Sequence, residues 1–89
     1  MVEKQLKIIN KLGLHARAAG AMAQLAARFA CRIEIEFTGR VIDAKSIMAV
    51  MMLAAAQGSV ITVRCSGDDE QDAIDSIEAL INDYFGEGE

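Results

Sequence analysis

Apolar and polar positions along this 89-residue chain alternate, then recur every three to four residues, and then alternate again. Leu6 and Ile8 alternate with Lys4, Gln5 and Lys7, which predicts a first strand that the loop residues Asn10 to Gly13 bring to an end. From Ala16 to Ala30 the period lengthens: Ala19, Met22, Ala23, Ala26 and Phe29 mark one helical stripe, and its alanines let a helix lie close to a sheet. Cys31, Ile33, Ile35 and Phe37 then alternate with Arg32, Glu34 and Glu36, the cleanest period of two in the chain and the mark of a half-buried strand. Thr38 and Gly39 turn into Arg40 to Asp43, its expected hairpin partner.

Ser46 heads a short, apolar helical run from Ile47 to Ala56, with Gly58 following where helices commonly end. Val60 to Cys65 is rich in β-branched residues and predicts a fourth strand. After the turn at Ser66 to Asp69, Asp68 and Gln71 have the spacing of a capping box. Ala73, Ile77, Leu80, Ile81 and Tyr84 form the stripe of a last helix reaching Gly86. The order is therefore βαββαβα. With right-handed crossovers this predicts an α/β (α+β) fold: an open-faced two-layer sandwich whose four-stranded, mainly antiparallel sheet is covered on one face by three helices. Residues 1–89 read as one domain without linker or repeat, and the Gly86 to Glu89 tail reads as frayed and without function.

Composition removes several functions. The net charge of -4 argues against a nucleic-acid module, which needs a concentrated excess of Lys and Arg. Cys31 and Cys65 sit in alternating apolar segments with no CxxC spacing and no second histidine, so buried thiols are expected and no metal site or cofactor. No apolar run reaches the roughly 20 residues that span a bilayer, so no membrane insertion and a cytoplasmic location are expected.

The chemistry centres on Gly13-Leu14-His15-Ala16-Arg17, where the only histidine stands at the point a loop becomes a helix. The first helical turn exposes NH groups without internal partners and carries a partial positive charge, so the Ala16 and Arg17 amides would suit a phosphoryl group. The same field disfavours imidazolium and leaves a ring nitrogen free to attack phosphorus. The Arg17 guanidinium would stabilise the phosphoryl oxygens. Taken alone, these residues read first as an ordinary surface helix start, with Arg17 a solvated charge.

What shifts the balance is that Asn10-Lys11-Leu12-Gly13-Leu14-His15-Ala16-Arg17 closely resembles the active-site loop of the HPr family, the histidine phosphocarriers of the phosphoenolpyruvate-dependent phosphotransferase system. The resemblance continues through Lys45-Ser46-Ile47-Met48 and Met51 to Ala54 and covers essentially the whole chain. It implies that His15 accepts a phosphoryl group on Nδ1 from phosphorylated enzyme I and donates it to IIA-type proteins, with Arg17 stabilising the phosphohistidine. It implies a monomeric carrier acted on by enzymes rather than an enzyme. It also implies that Ser46 is phosphorylated by a kinase/phosphorylase while capping its helix, and that Ile47, Met48 and Met51 form the docking surface. The family usually has proline after the arginine, and here Ala18 keeps helix propensity but gives up the rigidity of a fixed φ. A regulatory βαββαβ binding module and a small phosphatase are the rival readings; the first loop offers no paired cysteines for the former and only one arginine for the latter.

Overall fold

The computed structural model describes residues 1–87. Strand β1 (Val2–Lys7) leads to helix α1 (Ala16–Ala26), the hairpin β2 (Arg32–Phe37) and β3 (Arg40–Asp43), helix α2 (Ile47–Met52), strand β4 (Val60–Ser66) and helix α3 (Glu70–Asn82). A 3₁₀ turn over Tyr84–Gly86 closes the described chain. The strands lie in the order β1-β4-β2-β3, and all three pairings are antiparallel. The predicted βαββαβα sandwich is thus the fold that forms. Thr38 (φ 51) and Gly39 (φ 80) are both left-handed, the conformation that a two-residue hairpin needs to match the twist of its strands.

Alternation divides the sheet into a dry and a wet face. Leu6, Ile33, Ile35, Ile61, Val63 and Cys65 are buried beneath the helices with Ala19, Met22, Ala26, Ile74, Ile77 and Ile81. On the opposite face Arg64 joins Glu3 (2.9 Å) and Glu36 (2.7 Å) across three strands. Lys4 breaks the pattern: it is paired with Val63 on the helix side, and its ammonium reaches Glu78 of α3 at 2.6 Å. That hydrogen bond raises its pKa above the ordinary lysine value.

Both cysteines are buried free thiols, as their alternating surroundings predict. Burial pushes the Cys65 thiol up to about 12, and burial with the neighbouring Asp69 carboxylate raises that of Cys31, so neither is a ready nucleophile.

The helix ends depart from the sequence reading, each time because a distant group takes the backbone. Helix α1 stops at Ala26 rather than Ala30. The Asp69 carboxylate accepts from the Ala30 and Cys31 amides (2.8 and 2.9 Å), and the Lys45 ammonium donates to the Phe29 carbonyl, so these residues form a connection instead of another turn. Asp69 therefore makes no side-chain cap at its own helix. The Asp68–Gln71 capping box is not formed either, because Glu70 accepts from the Gly67 amide and Gln71 donates to Asp75. Helix α2 ends at Met52 rather than Ala56, with Ala54 left-handed at φ 54. Beyond it, the Ala55 carbonyl accepts from Leu14 N, and Gly58 and Ser59 pair with Ile8. Tyr84 is exposed, outside the α3 stripe, and Phe85 is the buried aromatic.

Candidate functional site

The loop before α1 is built on Asn10. This side chain is completely buried, and its Nδ2 donates to the Gly13 carbonyl (2.8 Å) while the Gly13 amide returns to the Asn10 carbonyl (3.2 Å). Gly13 is required here: its φ is +65, and a Cβ would stand 2.5 Å from the Ala55 carbonyl oxygen. Leu14 is buried and its amide donates to that same oxygen at 2.9 Å, so the loop is clamped to the segment leaving α2. The clamp delivers His15 to the N-cap of α1.

At the cap, His15 Nδ1 accepts from the Arg17 amide at 3.3 Å, and the His15 carbonyl takes the Ala19 amide at 2.8 Å. The first turn of α1 contains no acidic residue, so its own side chains leave the positive helix end uncancelled. Ala16 and Arg17 are exposed, whereas Ala18 is fully buried and serves the core. On its other edge the imidazole Nε2 hydrogen-bonds the Glu87 carboxylate, whose second oxygen accepts from Asn10 Nδ2 at 3.0 Å. Lys11, Leu12, His15, Arg17 and Glu87 together line a shallow cavity of about 170 Å³. A larger depression of about 360 Å³ between β2 and β3 shares no residue with it, and its one thiol, Cys31, is held protonated. Among the described residues no group of three His, Cys, Asp or Glu side chains converges on a metal position.

Ser46 lies at the second helix head, where its hydroxyl accepts from the Ala49 amide at 3.2 Å. Helix α2 buries only Val50, and Ile47, Met48, Met51 and Met52 face outward at 43%, 66%, 36% and 60% exposure. Leu12 of the His15 loop adds another exposed apolar side chain.

Sequence reasoning missed Asn10 and Glu87. Asn10 reads as an ordinary loop residue, and a glutamate between two tail glycines carries no periodic signal. The tail reading is corrected at Gly86 and Glu87. Tyr84, Phe85 and Gly86 take left-handed φ values of 57, 55 and 78, and the buried Phe85 anchors the turn that brings Glu87 to His15. The left-handed backbone costs on the order of 1 kcal/mol at each of the two non-glycine positions, which the burial of one aromatic ring offsets. The last two tail residues lie outside the described chain.

A half-buried histidine at a helix head, beside a shallow cavity on an open-faced sandwich, is an arrangement compatible with the class of small group carriers, which enclose no substrate. The family comparison places the chain within that class. Residues 2–83 match the model of the PTS HPr component phosphorylation site. The phosphocarrier protein HPr of Cupriavidus necator is 53% identical over 89 residues, covering all of both chains, and that of Pseudomonas putida is 46% identical over 90 residues, again covering both completely. Among solved structures, an HPr from Thermoanaerobacter tengcongensis superposes with a TM-score of 0.94 at 42% identity, covering 98% of each chain. The chain belongs to the HPr family, the phosphocarrier proteins of the phosphotransferase system.

Proposed function

We propose that this protein carries a phosphoryl group on His15 Nδ1, accepting it from phosphorylated enzyme I and passing it to IIA-type proteins. The observation that carries the reading is the N-cap geometry of a family-matched histidine: Nδ1 faces the Arg17 amide and not a proton acceptor, so it holds a lone pair at the positive end of α1. As Nδ1 bonds to phosphorus, the bond from phosphorus to the donor breaks and its electron pair leaves with the donor. The Arg17 amide then turns from the ring nitrogen to a phosphoryl oxygen, the exposed Ala16 amide supplies a second donor, and the Arg17 guanidinium meets the remaining charge. Transfer onward reverses these contacts. The chain is a substrate of its partners and performs no turnover of its own.

Ser46 is the regulatory position in this reading, modified by an ATP-dependent HPr kinase/phosphorylase. Its hydroxyl is exposed and caps a helix on which a phosphate would be tolerated, while about two negative charges beside Ile47, Met48 and Met51 would oppose docking. Those three side chains form the docking surface; methionine adapts to differently shaped partners, and enzyme I, the IIA proteins and the kinase would share it. The buried side chains of the described residues form one core cluster, which supports a single domain, residues 1–89, as the working unit, and in this reading it acts as a monomer. No helix among the described residues is long and apolar enough to cross a membrane, in keeping with action in the cytoplasm beside cytoplasmic partners.

Intact-mass spectrometry after incubation with phosphoenolpyruvate and enzyme I tests the reading. One acid-labile phosphoryl group, absent from His15→Ala, is expected. An unmodified wild-type protein beside a competent enzyme I would replace the carrier with a non-transferring regulatory relative.

A further inference from the structure

Two hydrogen bonds act on opposite edges of the His15 ring and select the same protonation state. Nδ1 accepts from the Arg17 amide, which requires a lone pair there. Nε2 lies against the Glu87 carboxylate, which accepts and cannot donate when ionised, so Nε2 carries the proton. Glu87 is itself held: Asn10 Nδ2 donates to its other oxygen at 3.0 Å, Asn10 is completely buried and fastened to the Gly13 carbonyl, and the buried Phe85 anchors the preceding turn. The Glu87 side chain is only 8% exposed, against 27% for His15, so this is a fixed contact and not a passing ion pair between solvated side chains. The cations lining the same cavity, Lys11 and Arg17, are both exposed.

From this geometry we infer that Glu87, held by Asn10, is a positioning residue for phosphoryl transfer: its carboxylate accepts the Nε2–H bond and so keeps Nδ1 unprotonated at the head of α1. The inference rests on the carrier reading and adds to it a residue from the far end of the chain. When Nδ1 attacks, the lone pair becomes the N–P bond, Nε2 keeps its proton, and the ring takes up positive charge. The Glu87 carboxylate is already in hydrogen-bond contact with the edge where that charge is shared, so it stabilises the transition state more than the neutral ring before it. The same contact favours departure of the phosphoryl group, because both directions pass through the same charged ring. The arrangement has the logic of a carboxylate orienting a catalytic imidazole, with the imidazole here as the nucleophile.

The test compares wild type with Glu87→Ala and Glu87→Asp by two measurements. Ring ¹⁵N shifts of the unphosphorylated protein near neutral pH report where the proton sits. The rate of His15 phosphorylation by phosphoramidate, followed by intact mass, reports reactivity without any protein partner; there the P–N bond of the donor breaks and ammonia leaves. Wild type is expected to show the proton on Nε2 alone. Glu87→Ala should move the shifts toward the mixture of free imidazole and slow phosphorylation roughly tenfold, the scale of one charge-assisted hydrogen bond, with Glu87→Asp recovering part of both. Backbone amide spectra matching wild type would establish that the variants are folded. Unchanged shifts in Glu87→Ala, or changed shifts with an unchanged rate, would overturn the positioning role. Failure of the carrier reading looks different: wild type would accept nothing from either phosphoramidate or enzyme I, whatever the ring shifts show.

Discussion

The heads of α1 and α2 are chemically alike and structurally opposite. Each begins with a polar side chain that accepts from a first-turn amide, His15 from Arg17 and Ser46 from Ala49, and neither has an acidic residue in its first turn. Helix α1, however, is 11 residues long with five of them buried, whereas α2 is six residues long and buries Val50 alone. His15 is further fixed by a loop clamped to Ala55 and by Glu87, while the Ser46 side chain bonds only its own helix. A helix end supplies an electrostatic bias for anions at either place; tertiary contacts decide which head holds its capping side chain in one geometry and which leaves it exposed.

The largest expected effect separates the heads outright. His15→Ala should abolish acid-labile phosphorylation while Ser46→Ala leaves it intact, as measured by intact mass after incubation with phosphoenolpyruvate and enzyme I. Next, Arg17→Ala should slow transfer about a hundredfold, the scale of one lost transition-state donor, without changing thermal stability. Rapid-quench rates and a melting curve check the two halves of that statement.

The clamp itself can be broken. Gly13→Ala should cost roughly 2 to 3 kcal/mol in denaturant unfolding, since it adds a left-handed alanine and a clash with backbone that cannot retreat. Ser46→Ala removes only a local cap and should cost about 1 kcal/mol in the same assay. Similar losses for the two would mean that the His15 head is no more tightly held than the Ser46 head.

The smallest effect concerns the third helix head, where Asp69 serves the connection between α1 and β2. Hydrogen bonds first from the Ala30 amide, and then from Cys31, hold its carboxyl below the ordinary 3.8. A lowered folded value means stability that is present above 3.8 and is lost as pH falls through the folded value. The stability advantage of wild type over Asp69→Asn should therefore stay level from neutral pH to about pH 5 and narrow below 3.8. An advantage independent of pH would assign the contact to packing alone.

Much of this was legible in the chain. The period of two at Cys31 to Phe37, the β-branched run at Val60 to Cys65 and the Thr38-Gly39 turn are local facts, and local facts set strands and hairpins. The helical stripes likewise foretold which faces of α1 and α3 are buried, and the site loop was readable from its contiguous residues. The helix ends were not readable, because Asp69, Lys45 and Ile8 draw backbone groups away from continuations that propensity alone would favour.

By itself, then, the sequence determined the order of elements, the dry face of the sheet, the buried thiols and the placement of the only histidine before a helix, because each follows from spacing along a few neighbouring residues. Only the tertiary structure decided that Gly13 must be glycine, that Tyr84 lies outside while Phe85 lies within, and that Glu87 meets His15. Those outcomes join residues as many as 72 positions apart, and no period or propensity reports which distant groups a fold will bring within a hydrogen bond of each other.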